Sequence, residues 1–269
     1  MPMDTISFSK QIRKNVLQMV YHAKASHIGS CFSIADIVAV LYGATLNLYV
    51  NDPAWPNRDR FILSKGHAAA AIYAALALKG FFPLEELQIY GNDGSRLMAH
   101  ISHKVPGVEF STGSLGHGLP FSTGKALAAK KQGLTWRVFT LMSDGEMDEG
   151  SNWEAFMFSA HHSLDNLVAI IDYNKIQSLT TVAKTLGIEP LAEKLRAFGW
   201  SVREVNGHDH DQLHSALNTT PWEEGKPSVL IAHTTKGKGV SFMENEVKWH
   251  YHSPNREQLS LATLEIDNA

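Results

Sequence analysis

Two oxygen-bearing side chains 30 residues apart, Asp144 and Asn174, are the pair whose types and spacing could do chemistry. Asp144 offers a hard anionic oxygen and Asn174 a neutral carbonyl oxygen. Backbone carbonyls just past Asn174, that of Ile176 among them, are expected to face the same space. Such oxygens suit Mg²⁺ or Ca²⁺ rather than zinc. Mg²⁺ held by few protein ligands completes its octahedron with phosphate oxygens and water. Gly145 lets a diphosphate approach the backbone, and a helix start near Asn152 favours an anion. Taken singly, each residue reads as an ordinary turn residue. The pair, with Gly145 and an apolar run before each, points to a metal–diphosphate site.

The elements that must position this pair can be read around it. The run VFTLM ends abruptly at Ser143, Asp144 and Gly145 and reads as a buried strand. Residues 152–162 carry Trp153, Phe156, Met157 and Ala160 at helical spacing, and LVAIID forms a second buried strand ending at Asp172 and Asn174. Strand, helix and strand in this length make a βαβ unit. Its right-handed crossover puts both carboxyl ends on one sheet edge, where open α/β sheets bind ligands.

The chain has 269 residues, 44% of them hydrophobic and 19% charged, enough for one large α/β domain over residues 1–269 with a well-buried core. A net charge of −3 marks no nucleic-acid or membrane partner. The single cysteine, Cys31, rules out an internal disulfide and fits a reducing, cytoplasmic setting. No signal-peptide core follows the first methionine, and no run of 18 apolar residues occurs.

In chain order, residues 7–25 read as an amphipathic helix with Ile12, Val16, Met19 and Val20 on one face. Ser33 is expected to cap a helix over residues 34–42, with His27 and Ser30 in the turn before it. RFIL reads as a strand, SKGH as a turn, and residues 68–79 as a small-residue helix closed by Gly80. Residues 81–95 read as surface helix and loop, and residues 119–131 as a helix with Pro120 early, where proline is tolerated. A helix over residues 190–198 and the strand SVREV follow. His208, Asp209 and His210 read as caps of a helix over residues 211–217 rather than as metal ligands. PSVLIAHT is the last core strand and runs into a Gly-rich turn bearing Lys236 and Lys238. The fold class expected is α/β, a mostly parallel sheet with helices on both faces. No HExxH or CxxC pattern suggests a zinc site.

The central text, DGEMDEGSNWEA and LDNLVAIIDYNKIQ, resembles the transketolases, which carry a thiamine diphosphate motif written GDG, about thirty residues, then N. Ser143 stands where the motif has its first glycine. Being small, it implies a tilted turn rather than a lost site. Four further blocks resemble the family in the same order. SHIGS matches a substrate-binding histidine and a cofactor-binding serine, His27 and Ser30. LSKGHA matches a cofactor-contacting histidine, His67. STGSLG matches the loop beneath the cofactor, Gly113, Ser114 and Leu115, and His100 stands at the spacing of another active-site histidine. TKGKG with KWH matches a lysine and histidine near the cofactor, Lys236 and His250, with His252 a weaker candidate. The resemblance also puts Gly145, Glu146 and Asn174 among cofactor contacts, and Asp144, Asn174 and Ile176 around Mg²⁺, with Ca²⁺ or Mn²⁺ as substitutes. It places Glu149 and Glu154 near a dimer interface. His103 has no counterpart, His117 replaces a common glutamine, and His161 and His162 read as surface or packing residues.

What the resemblance implies is transfer of a two-carbon ketol unit from a ketose, expected to be phosphorylated, to an aldose. In the family a glutamate on a second, pyrimidine-binding domain activates the cofactor, and no glutamate here is assignable to that role. The expectation is therefore a split enzyme. This chain supplies the diphosphate-binding half and a separate C-terminal subunit supplies the other, in an α2β2 heterotetramer. Two alternatives stand beside it: a thiamine diphosphate enzyme that decarboxylates 2-oxo acids, and a catalytically silent cofactor-binding partner.

Overall fold

The computed structural model describes residues 4–268. Five strands form one sheet: β1 (Arg60–Leu63), β2 (Val138–Ser143), β3 (Leu167–Tyr173), β4 (Ser201–Asn206) and β5 (Ser228–His233). Their spatial order is β1-β2-β3-β5-β4 and every pairing is parallel. The strands β1, β2 and β3 are buried along their whole length, as continuous apolar runs in a sheet covered on both faces should be.

Alternation along the strands splits the core in two. Phe139 and Leu141 of β2, Val168 and Ile170 of β3, and Leu230 of β5 face one apolar cluster. That side is covered by α1 (Thr5–Ala23), α2 (Ile28–Ser33), α3 (Ala35–Val40), α4 (Ala69–Lys79), and two later helices. Val138 and Met142, Ala169 and Ile171, and Val229 and Ile231 face the other. There α5 (Gly118–Lys131), α6 (Gly150–His161), α7 (Val182–Thr185) and α8 (Leu191–Ala197) pack. The later helices on the first side are α9 (His210–Asn218) and α10 (Arg256–Asn268). Helix α4 is buried all round from Ala69 to Ala77, which its alanines permit. Gly80 ends it in the left-handed region at φ +88°, with the Gly80 and Phe81 amides closing the last turn.

Three local expectations change. Residues 28–33 are helical, so Ser30 lies inside α2 and His27 stands at its N-cap position. Ser33 does not cap α3: Ile34 occupies that position, and the Ser33 hydroxyl donates to Asp172 at 2.6 Å. A buried carboxylate is a stronger acceptor than anything a cap could offer this hydroxyl. Residues 81–95 hold only a 3₁₀ segment, Leu84–Ile89. Among the described residues, no helix is long and apolar enough to cross a membrane.

Register brings the chemistry together. Ser143 of β2 pairs with Asp172 of β3, and Asp172 pairs with Ala232 of β5. The segments after these strands, and the Ser64–His67 turn after β1, therefore all emerge at one carboxyl edge.

Candidate active site

A cavity opens at that edge. It is lined by His27, Ser30, His67, His100, Leu115, Asp144, Gly145, Asn174, Ile176, Lys236 and His250, together with Lys65, Ser143, Gln177 and Ser178. Five separate chain segments thus meet, as the motif blocks require. Gly113 and Ser114 lie beside the lining on the Leu115 loop, and a Cβ on Gly113 would stand 3.5 Å from the His100 ring. His103, His161, His162 and His252 are exposed and do not line the cavity.

Four histidines converge. The His27 ring lies 5.1 Å from that of His67, 5.9 Å from His100 and 4.9 Å from His250, centroid to centroid. The His27 amide donates to the His250 carbonyl at 2.8 Å, which ties the N-cap of α2 to the chain's closing segment. Burial, then His100 and Lys236, push His27 down to about 4, and burial and Lys236 push His250 down to about 3. Burial and Lys65 likewise depress His67. Neutral imidazoles each present one donor and one acceptor, the pattern that handles sugar hydroxyls.

These rings should not titrate where free histidine does. NMR of the His27 and His250 ring protons is expected to give midpoints near 4 and 3, and midpoints near 6.5 would contradict the packing. The sign for stability follows. The unfolded chain takes up these protons near pH 6.5 and the folded chain does not, so their contribution is fully present above pH 6.5. It is lost as pH falls towards 4 for His27 and 3 for His250.

Charge is the second feature. Lys65 is 1% exposed and donates to Asp172 at 2.6 Å. Lys236 is 2% exposed, and its ammonium donates to the carbonyls of Ile176 (3.1 Å) and Gln177 (2.9 Å) and to His250 Nδ1 (3.2 Å). Burial and the charge of Lys65 lower it to about 8. Asp172 is a hub: besides Lys65 it accepts from Ser33, from the Thr234 hydroxyl and from Asn174 Nδ2 at 3.1 Å. Burial alone would raise its pKa, but the Lys65 ammonium holds it below the usual carboxylate range. The bond from Nδ2 turns the Asn174 amide so that Oδ1 faces the Ile176 amide, 3.1 Å away.

Asp144 differs from Asp172 in having no cationic side chain against it among the described residues. It is 1% exposed and accepts only from the Gly145 and Lys175 amides. Burial and the negative charge of Asp172 push it up to about 7. A buried carboxylate of this kind, beside an amide oxygen and the Ile176 carbonyl, is chemically suited to a hard divalent cation. The two buried ammonium groups nearby suit the phosphate oxygens that such a cation would share. The residues therefore fit a metal–diphosphate group.

Ser143, the departure from the glycine motif, has a structural role. Its Oγ accepts from the Glu146 amide at 3.2 Å, while the Glu146 carboxylate accepts from the Ser143 amide at 3.4 Å. That reciprocal pair is a capping box, Ser-x-x-Glu, on the 3₁₀ turn Gly145–Asp148. The fully buried Glu146 carboxylate also accepts from the Ser64 hydroxyl and the Gly116 amide. It thus ties the turn after β1 and the 113–118 loop to the turn bearing Asp144, from behind the cavity rather than in it. Ser143→Ala is expected to cost about 1 kcal/mol and Ser143→Gly only a few tenths, measured by urea unfolding. Equal losses would remove the cap from the account.

Sequence reasoning does not assign Lys65, Gln177 or the Asp172 hub. The polar residues flanking SKGH and YNKIQ are their only trace.

Comparisons with known proteins agree with this geometry. A family model described as transketolase, thiamine diphosphate binding domain, matches residues 5–262. One of the two subunits of an apulose-4-phosphate transketolase from Phocaeicola vulgatus is 41% identical over 258 residues, covering 96% of this chain and 92% of the relative. A 6-deoxy-6-sulfo-D-fructose transketolase subunit from a Clostridium species is 40% identical, covering 95% and 94%. The solved transketolase from Leishmania mexicana superposes with a TM-score of 0.94 at 28% identity, and that from Campylobacter jejuni with 0.91 at 30%. The chain is covered to 99% in both cases and spans 42% and 43% of those longer chains. These relatives do not favour the 2-oxo acid alternative.

Proposed function

This chain belongs to the transketolase family, as a thiamine diphosphate-binding domain like those of the split-enzyme subunits it matches, and we propose how its residues serve ketol transfer. The reaction moves a two-carbon ketol unit from a ketose to an aldose. Bound thiamine diphosphate supplies a carbon nucleophile and an electron sink for cleavage beside the ketose carbonyl. Asp144, Asn174 and the Ile176 carbonyl would hold Mg²⁺, and Gly145, His67, Ser30 and the Gly113–Leu115 loop would receive the cofactor. Lys65 and Lys236 keep the floor of the cavity positive, which favours a polyanion.

The neutral histidines do the substrate work. His27, His100 and His250 can donate to hydroxyl or carbonyl oxygens with one ring nitrogen and accept with the other. A neutral ring can take a proton from a sugar hydroxyl and return it, which a ring protonated at rest could not. Lys236 donates to His250 Nδ1, so that nitrogen is the acceptor and Nε2 carries the proton available to a ligand. The two subunit relatives are named for a phosphorylated and a sulfonated sugar. By that likeness, the substrates of this chain are sugars with an anionic tail.

The observation that carries the proposal is the meeting of four histidines and two buried lysines around Asp144 and Asn174, in a chain matched along nearly its whole length by transketolase subunits. A separate subunit bearing the pyrimidine-binding half completes the site, in an α2β2 assembly. Cys31 is buried, with its thiol pushed up to about 12 by burial, and carries no disulfide, in keeping with a cytoplasmic setting. Mixing tests the proposal. The chain with its partner subunit, thiamine diphosphate and Mg²⁺ is expected to transfer ketol groups, and the chain alone at less than about a hundredth of that rate, because half of the cofactor's contacts are lacking. Full activity of the chain alone would refute the split assembly.

A further inference from the structure

The cluster behind the Lys236 turn reads from sequence as helix caps. Asp209 does cap α9, accepting from the Asp211 and Gln212 amides. His208 and His210 do something else. Both converge on Asp36 of α3, His208 Nδ1 at 2.7 Å and His210 Nε2 at 3.2 Å. Arg13 of α1 meets the same carboxylate through two nitrogens, at 2.9 and 2.6 Å. All four side chains are largely buried, Arg13 and Asp36 at 7% exposure and the histidines at 13% and 14%.

The far side of this cluster reaches the active-site turn at two points. His208 Nε2 accepts from the Thr235 amide at 2.8 Å, and Arg13 Nε donates to the Lys238 carbonyl at 3.0 Å. A peptide amide can only donate, so Nε2 must be unprotonated and the ring proton must sit on Nδ1, facing Asp36. Asp36 thereby fixes the tautomer that lets His208 hold Thr235. Lys236 lies between the two held points, and its ammonium is the cation at the Ile176 and Gln177 carbonyls. Neighbouring Gly237 has φ +81° and a Cβ there would meet the Met243 carbonyl oxygen at 2.2 Å, so the turn has one tight conformation to be held in.

We propose that His208 is a positioning residue: with Asp36 and Arg13 it clamps the Thr235–Lys238 turn and so sets where the Lys236 ammonium stands. The clamp acts from outside the cavity and touches no ligand. Its catalytic consequence rests on the functional reading of Lys236 given above, but its structural content does not.

Two variants test it. In His208→Leu the acceptor for Thr235 is gone. In His208→Gln the amide oxygen can stand where Nε2 stands and keep the bond. Amide hydrogen exchange on the isolated chain is expected to speed up at Thr235 by about tenfold or more in the leucine variant, the loss of one buried hydrogen bond, and to stay near wild type in the glutamine variant. With the partner subunit, kcat/KM for ketol transfer is expected to fall between about 10- and 100-fold in the leucine variant and to be largely rescued by glutamine. Unchanged exchange at Thr235, or unchanged transfer in the leucine variant, overturns the proposal. The exchange readout needs neither partner nor cofactor, so it decides the clamp even if the wild-type chain proves to transfer nothing.

Discussion

Replacing Asp144 by alanine is expected to weaken Mg²⁺-dependent binding of thiamine diphosphate by at least about 100-fold. Loss of a mere supporting contact to a metal ligand already costs about 10- to 100-fold. Asp144 is the one carboxylate among the residues lining the cavity. Nothing adjacent can replace it, because Asp172 is committed to Lys65, Ser33, Thr234 and Asn174. The variant should fold. Asp144 makes no ion pair among the described residues and lies under the negative charge of Asp172, so removing it relieves an unfavourable burial. Calorimetric titration of the assembled enzyme with cofactor and Mg²⁺ measures the effect, with a melting curve as the control. An unchanged cofactor affinity would take Asp144 off the metal and the diphosphate reading with it.

Asp172→Ala is expected to act through stability instead, at about 3–5 kcal/mol, the range for removing one partner of a buried ion pair. It would leave Lys65 charged at 1% exposure with no counter-ion, and it would strip acceptors from Ser33 and Thr234. It would also free the Asn174 amide, whose orientation Asp172 sets. Urea unfolding reads the loss. Adding Lys65→Met to the same chain is expected to recover much of it, since the uncompensated charge goes too. A loss under about 1 kcal/mol in the single variant would mean that the ion pair is not a structural hub.

Both predictions concern residues at one sheet edge, and how far that edge could be read in advance differs between them. Asp144 and Asn174 were legible because each ends a continuous apolar run. Parallel strands with a helical crossover have their carboxyl ends side by side whatever the details of packing. The same logic made β1, β2, β3 and β5 legible, and with them the α/β class. His67, His100, His27 and His250 could be paired with their motif blocks because each lies in a turn where a buried apolar partner is absent. Their proximity could not be read from periodicity, since the four positions span residues 27 to 250.

Other features were invisible for a physical reason. Ser33 reads as a cap from local spacing, yet a carboxylate 139 residues away accepts its hydroxyl. The pair of histidines flanking Asp209 reads as cap chemistry, yet both reach across to Asp36, 172 and 174 residues away. Ser143 reads as a blemish in a glycine motif and is half of a capping box whose other half, Glu146, is also gripped by Ser64 and Gly116.

The amino-acid order alone determined the strands, their common edge, the oxygen pair on it and the family's motif blocks. These follow from hydrophobic period and turn chemistry, which are properties of neighbours in the chain. Only the tertiary structure decided which imidazoles are neutral, which carboxylate lacks a counter-charge, and what holds Lys236 in place. Each of these depends on burial and on charges brought close from distant segments, and a side chain's electrostatic surroundings are not encoded by its sequence neighbours.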